Sequence, residues 1–189
     1  EKIVFHGNNK SDKEIEFAVR NNIKVIVDND YDLERLEILS NSLNRDLEIM
    51  IRFTPGIECH THEYIRTGSF DSKFGFGIEY LNILFANIRD TKHLKLTGIH
   101  AHIGSQIFEL DPHNDLGEIM VNVILDAKKF DHNIKEINVG GGLGIKYTKR
   151  DDPPSIDEWV KTISNSVVKA CKKNLSLIHI SEPTRLHCI

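Results

Sequence analysis

Gly98-Ile99-His100-Ala101-His102-Ile103-Gly104-Ser105-Gln106 reads as the end of a buried strand running straight into a loop. Alternation puts Leu96, Gly98, His100 and His102 on one face and Ile99, Ala101 and Ile103 on the other. The apolar face suits packing against helices. The opposite face offers two imidazoles, then a glycine and a hydroxyl, so the strand ends in a candidate site. A second such ending is Ile137-Asn138-Val139-Gly140-Gly141-Gly142-Leu143-Gly144. Consecutive glycines after an apolar strand let the backbone approach a ligand and turn its N–H groups toward an anion. A neutral or cationic ring beside a phosphate is the natural guest of such a pair.

Outward from these endings, strand and helix alternate. Residues 3–5 read as a short strand leading into the polar loop His6-Gly7-Asn8-Asn9-Lys10. Ser11 and Glu14 have capping-box spacing and open a helix with Ile15, Ala18, Val19 and Asn22 on its inward stripe. Residues 24–28 are mostly apolar, as expected of a strand covered on both faces. A helix is expected over 32–43 and a strand over 47–53. A long loop with Pro55, Gly56 and Gly68 follows, then helices over 79–89 and 114–130. Ser155 and Glu158 form a second capping box, opening a helix to about residue 172.

Five strand–helix units imply parallel strands joined by right-handed crossovers. Polar and glycine-rich residues follow every strand. That favours a barrel, whose loops share one face, over an open sheet with a single switch point. Five units cannot close eight strands, so residues 1–174 are expected to form part of an α/β (β/α)8 TIM barrel. Residues 175–189 do not fit the pattern and resemble a translated sequencing adapter. They are expected to be a non-native tail, with a final strand over 175–180 as the alternative.

The chain has 189 residues, a formal net charge of −4 and 40% hydrophobic content. The acidic balance, without a basic run, argues against a nucleic-acid surface. No apolar stretch approaches membrane length, and no signal peptide is evident at the start. Cys59, Cys171 and Cys188 are scattered, which suits a reducing, cytoplasmic compartment better than a disulfide framework.

Several residues bear chemistry. His102 has three readings: a stack on a cofactor ring, a metal ligand or core filler; its place at a strand end beside Gly104 and Ser105 favours function. His100 points the same way but sits deeper, as core. Ser105 suits a phosphate or the cap of a turn. Gly140, Gly141 and Gly142 suit an anion, or a tight turn. Arg52 alternates with Met50, and an inward arginine is costly unless paired or serving an anion. Lys73, before Phe74-Gly75, also reads as an ordinary surface lysine. His60 and His62, with His100 and His102, make two His-x-His pairs of the kind metal-dependent barrel hydrolases use. That rival has no obvious fourth ligand and leaves the glycine triplet unexplained.

Taken together, Phe5-His6-Gly7-Asn8-Asn9-Lys10-Ser11, His60-Thr61-His62-Glu63-Tyr64-Ile65, Asp71-Ser72-Lys73-Phe74-Gly75, the Gly98–Gln106 stretch and Gly140–Gly144 resemble the diaminopimelate branch of the ornithine/diaminopimelate/arginine decarboxylases. The resemblance covers residues 1–174, with the blocks in family order. It implies an alanine-racemase-like barrel that binds pyridoxal 5′-phosphate (PLP), followed by a C-terminal β domain. It implies decarboxylation of meso-2,6-diaminopimelate to L-lysine and CO2, the last step of lysine biosynthesis, by a homodimer with active sites at its interface. By position, His102 resembles the histidine stacked on the pyridoxal ring. Ser105 and Gly140 to Gly142 resemble the phosphate-binding groups, Arg52 the barrel arginine near the cofactor, and Lys73 a lysine of the interface. The family's Schiff-base lysine lies on a strand before Glu1, so the chain is expected to be an inactive fragment. A non-catalytic PLP-binding barrel is the remaining alternative.

Overall fold

The computed structural model describes residues 3–57, 73–174 and 185–187. Cys59, His60 and His62 lie outside them.

The helix starts follow local chemistry. At α1 (Asp12–Arg20) the Ser11 hydroxyl accepts from the Glu14 N–H, and the Glu14 carboxylate accepts from the Ser11 N–H at 2.8 Å. Ser155 and Glu158 repeat the arrangement ahead of α5 (Ile156–Asn174). The second helix, α2 (Asp30–Leu43), begins two residues earlier than the apolar spacing suggests. Asn29 caps it, accepting from the Asp32 N–H at 2.9 Å. Asn22, expected on the α1 stripe, lies beyond that helix at φ +56°. The others are α3 (Leu81–Asp90), preceded by a 3-10 turn at Ile78–Tyr80, and α4 (Asp111–Lys128).

The strands form one parallel sheet, curled as in a partial (β/α)8 barrel. Its order is β1 (Val4–Phe5), β2 (Lys24–Val27), β3 (Leu47–Thr54), β5 (Leu94–Ala101), β6 (Glu136–Asn138) and β7 (Arg185–His187). The two-residue β4 (Phe76–Gly77) pairs with the end of β3, off this path. It is too short to show any alternation in sequence. Strand β7 continues the sheet beyond β6, with Glu136 opposite Arg185.

Val25, Val27, Ile49, Ile51 and Phe53 pack with Leu36, Leu84 and Phe85 of the helices in one hydrophobic core. Burying a side chain of this size stabilises by roughly 1.5–3 kcal/mol. Strand β5 departs from plain alternation. Its register against β3 passes from Ile49 opposite Leu96 to Met50 opposite Gly98, leaving Thr97 as an extra residue. This bulge reverses the phase of the strand. Leu94 and Leu96 before it, and Ile99 and Ala101 after it, all reach the helix-side core. Leu96 therefore does not share the His100 face, as strict alternation had it.

Candidate functional site

Ile26 and Met50 are fully buried yet stand outside the helix-side core. They lie level with Gly98, where an added Cβ would meet the Met50 Cε. This apolar layer faces the barrel interior. Two residues further along the strands, Arg52, His100 and Asn138 stand side by side in register. Asp28, just past β2, joins them through its carboxylate. These groups line the mouth of the barrel at the carboxyl ends of its strands, the end where such barrels place their chemistry.

Arg52 is 7% exposed and is paired. Its Nη1 donates to Asp28 Oδ1 at 3.2 Å and lies 3.4 Å from His6 Nε2. The Phe74 ring lies 5.0 Å from its guanidinium carbon, a cation–π contact. Gly75 makes this cover possible. At φ +78° it brings the chain against Arg52, and a Cβ would sit 3.1 Å from the Arg52 carbonyl oxygen. Nη1 uses its two protons on Asp28 and His6, while Nε and Nη2 have no hydrogen-bond partner among the described residues.

The imidazoles around this cation are held uncharged. Burial pushes His100 down to about 3, helped by His6 and Arg52. Among the described residues neither His100 nitrogen makes a well-formed hydrogen bond, although the Asn138 amide lies close enough to favour the charged form slightly. His102 is half-buried and lowered by burial, then by Arg52. His6 meets the His100 ring edge-on at 4.7 Å and is lowered by partial burial, then by Arg52. Neutral rings suit a stack on a cationic or electron-poor aromatic guest.

The two loops that follow β5 and β6 are joined to each other. Ile107 N–H donates to Gly142 O, and Gly144 N–H donates to Ile107 O, both at 2.9 Å. The Gln106 side chain spans the seam, accepting from Ile145 N–H at 3.0 Å and donating to Ile145 O at 2.6 Å. The approach requires glycine at two places. Gly140, at φ +68°, would bring a Cβ 2.8 Å from both Ala101 O and His102 Nδ1. Gly142, at φ +108°, would drive one into the Gly104 carbonyl. Gly141 is not in the left-handed region; its N–H points at His102 Nδ1 at 3.4 Å. So the triplet serves a close approach of two loops as well as any anion.

The structure thus brings His102, Ser105, Gly140, Gly141, Gly142 and Arg52 to one end of the barrel. Ser105 is exposed and makes no hydrogen bond among the described residues. Lys73 is exposed, two residues before the Gly75 approach. His100 is deeply buried, as expected, and stands in register with Arg52 and Asn138 in the polar layer of the mouth. Sequence reasoning missed Asp28 and His6. The only signal for them was a polar residue directly after each short apolar strand. It also missed the support beneath Asp28. Asp32 Oδ2 accepts from the Asp28 N–H at 3.2 Å, and the Asp32 carboxylate holds Lys10 at 2.6 Å and Arg35 at 2.9 Å.

A ring bearing an anionic group fits this donor set. It would find a neutral imidazole for stacking, an unengaged hydroxyl at Ser105, and an arginine with unengaged donors. Among the described residues no group of three or more histidine, cysteine or acidic side chains is arranged to hold a metal ion. No helix there is long and apolar enough to cross a membrane.

The model of the pyridoxal-binding domain of pyridoxal-dependent decarboxylases matches residues 1–188. The diaminopimelate decarboxylase of Synechocystis sp. is 51% identical over 173 residues, 92% of this chain and 37% of its own length. That of Staphylococcus aureus is 36% identical over 184 residues, 96% of this chain and 42% of its own. The crystal structure of Helicobacter pylori diaminopimelate decarboxylase complexed with L-lysine superposes with a TM-score of 0.84 at 27% identity. It covers 98% of this chain and 44% of that one. The chain spans about two fifths of the length of the curated relatives it matches.

Proposed function

Since the chain belongs to the pyridoxal-dependent decarboxylase family, through its pyridoxal-binding domain, we propose that it holds PLP at the mouth of the barrel. We further propose that it forms part of a cytoplasmic diaminopimelate decarboxylase. The observation that carries the proposal is the joined pair of loops. One presents His102 and Ser105, the other Gly140 to Gly142, and Arg52 stands beside them. His102 stacks on the pyridine ring. Ser105 and the glycine backbone hold the phosphate, as oriented N–H and O–H donors do for anions generally.

Bound there, the cofactor supplies an electron sink for the pair left when CO2 departs. The residues of this chain bind it, fix its plane and keep the neighbouring imidazoles uncharged. The substrate is meso-diaminopimelate and the product L-lysine; the name diaminopimelate decarboxylase borne by the curated relatives supports a diaminopimelate substrate. The complete enzyme is a homodimer, with Lys73 on the side facing the partner. Family membership favours this reading over a metal-dependent hydrolase.

The test is CO2 release from meso-diaminopimelate by the complete enzyme, with and without added PLP, against L-ornithine and L-arginine. PLP-dependent release from diaminopimelate alone is expected. Release from ornithine or arginine instead would move the protein to another branch, and PLP-independent turnover would contradict the reading.

A further inference from the structure

We infer that Asp28 is a positioning residue: it sets the guanidinium of Arg52 so that Nε and Nη2 face the cofactor at the barrel mouth. The inference rests on the proposed PLP site and adds a residue to it.

Asp28 is 3% exposed and Arg52 7%, so the pair at 3.2 Å is sealed from bulk water. Arginine only donates, so His6 Nε2 must accept from Nη1, which leaves both Nη1 protons committed. The Phe74 ring closes one side of the group. The rotation of the guanidinium is thereby fixed, and its three remaining N–H donors have no partner among the described residues.

Asp28 is itself held from behind. Its backbone N–H donates to Asp32, a carboxylate 1% exposed that is bridged by Lys10 and Arg35, and Arg35 reaches Asp12 at 2.9 Å. A chain of ion pairs and one backbone hydrogen bond therefore runs from the helix surface to Arg52. Among the described residues, none of the other groups facing Arg52 is a carboxylate: His6, His100 and His102 are neutral, and the Asn138 amide is uncharged. Without Asp28, Arg52 loses its one carboxylate partner among the described residues and its guanidinium is no longer held in this orientation.

A double-mutant cycle on PLP affinity tests this in the complete enzyme, read by the cofactor's visible absorbance, with thermal melting of each apo-protein as the control for folding. Arg52→Met is expected to weaken PLP binding about tenfold or more, as loss of a charge-assisted bond does. Asp28→Asn keeps the shape and removes the charge, and is expected to weaken it several-fold. Asp28→Glu should retain more affinity than Asp28→Asn. In the Arg52→Met background, Asp28→Asn should change nothing further, because it acts through the arginine.

An equal loss from Asp28→Asn in both backgrounds would overturn the inference, since Asp28 would then act independently. So would a sensitive Arg52 beside an insensitive Asp28, and that result leaves the PLP site standing. No PLP binding by the unsubstituted enzyme would overturn the site itself. If Asp28→Asn melts too low to titrate, the smaller change Asp28→Glu is placed in the same cycle and judged by the same outcomes.

Discussion

The inner face of the sheet carries buried ion pairs at both ends, and the two ends differ. Near the N-terminal end, Lys24 Nζ lies 2.8 Å from Glu136 and 3.1 Å from Glu48. The cation has two carboxylates, and Thr97, the bulge residue, leans on Glu48 at 3.5 Å. At the C-terminal end, among the described residues, Arg52 has one carboxylate, three neutral imidazoles and unengaged donors. The layer of Ile26, Met50 and Gly98 separates them. A closed set of charges holds strands in register, whereas an open set leaves capacity for a guest. Barrels divide stability and chemistry between their two ends in this way.

The largest effect should come from breaking the closed end. Lys24→Met removes the cation that lies between Glu136 and Glu48 on the inner face. About 3–5 kcal/mol of folding stability should go, as when one partner of a buried pair is removed. PLP affinity of the folded fraction should not change. Denaturant melts beside a PLP titration measure both, and a matching fall in affinity would erase the distinction between the ends.

Acid sharpens the comparison. His113, at the start of α4, is fully buried against Trp159 at 5.6 Å, with neither nitrogen hydrogen-bonded among the described residues. Burial pushes it down to about 4, and His100 to about 3. Both are lowered from 6.5, so the unfolded chain takes up their protons first. Their stabilising contribution is complete above pH 6.5. For His113 it is lost as pH falls from 6.5 toward 4, and for His100 on toward 3. Each lowered unit is about 1.4 kcal/mol, so His113 contributes roughly 3 kcal/mol of acid sensitivity. His113→Phe should flatten the fall in apo-protein stability between pH 6.5 and 4 without altering PLP affinity at pH 7.5. An unchanged slope would remove His113 as its source.

Smaller effects belong to the loop seam. Gly142→Ala places a Cβ against the Gly104 carbonyl in a left-handed conformation, a strain of about 1–3 kcal/mol. Gly141→Ala lacks that backbone strain and should weaken PLP binding less. The reverse order, by titration, would mean that the two loops separate more freely than their hydrogen bonds imply. Gln106→Ala removes two half-exposed hydrogen bonds, about 0.5–1.5 kcal/mol each at most. PLP affinity should fall only a few-fold, with the apo melting temperature nearly constant.

Much of this was legible because it is local. Ser11 with Glu14, and Ser155 with Glu158, satisfy the first N–H groups of their own helices. Glycines after an apolar strand announce a loop that something must approach. What stayed hidden depends on register. Asp28 meets Arg52 only because Ile26 lies opposite Met50, and no spacing within either strand records that. The Thr97 bulge is equally silent, since Leu96-Thr97-Gly98 reads as ordinary strand. The glycine triplet was half-read: its special backbone angles fall on Gly140 and Gly142, and their reason is the neighbouring loop. His113 and Trp159 meet across two helices, a contact that the stripe of neither helix reveals.

PLP titration of the His102→Ala enzyme bears most directly on the mouth as the cofactor site. His102 lies where the two loops meet, with Gly141 N–H at 3.4 Å from its ring. Loss of an aromatic stack worth about 0.5–1.5 kcal/mol should weaken PLP binding several-fold, while Lys24→Met binds as the unsubstituted enzyme does. Unchanged affinity in a well-folded His102→Ala protein would contradict the placement of the cofactor at this end of the barrel.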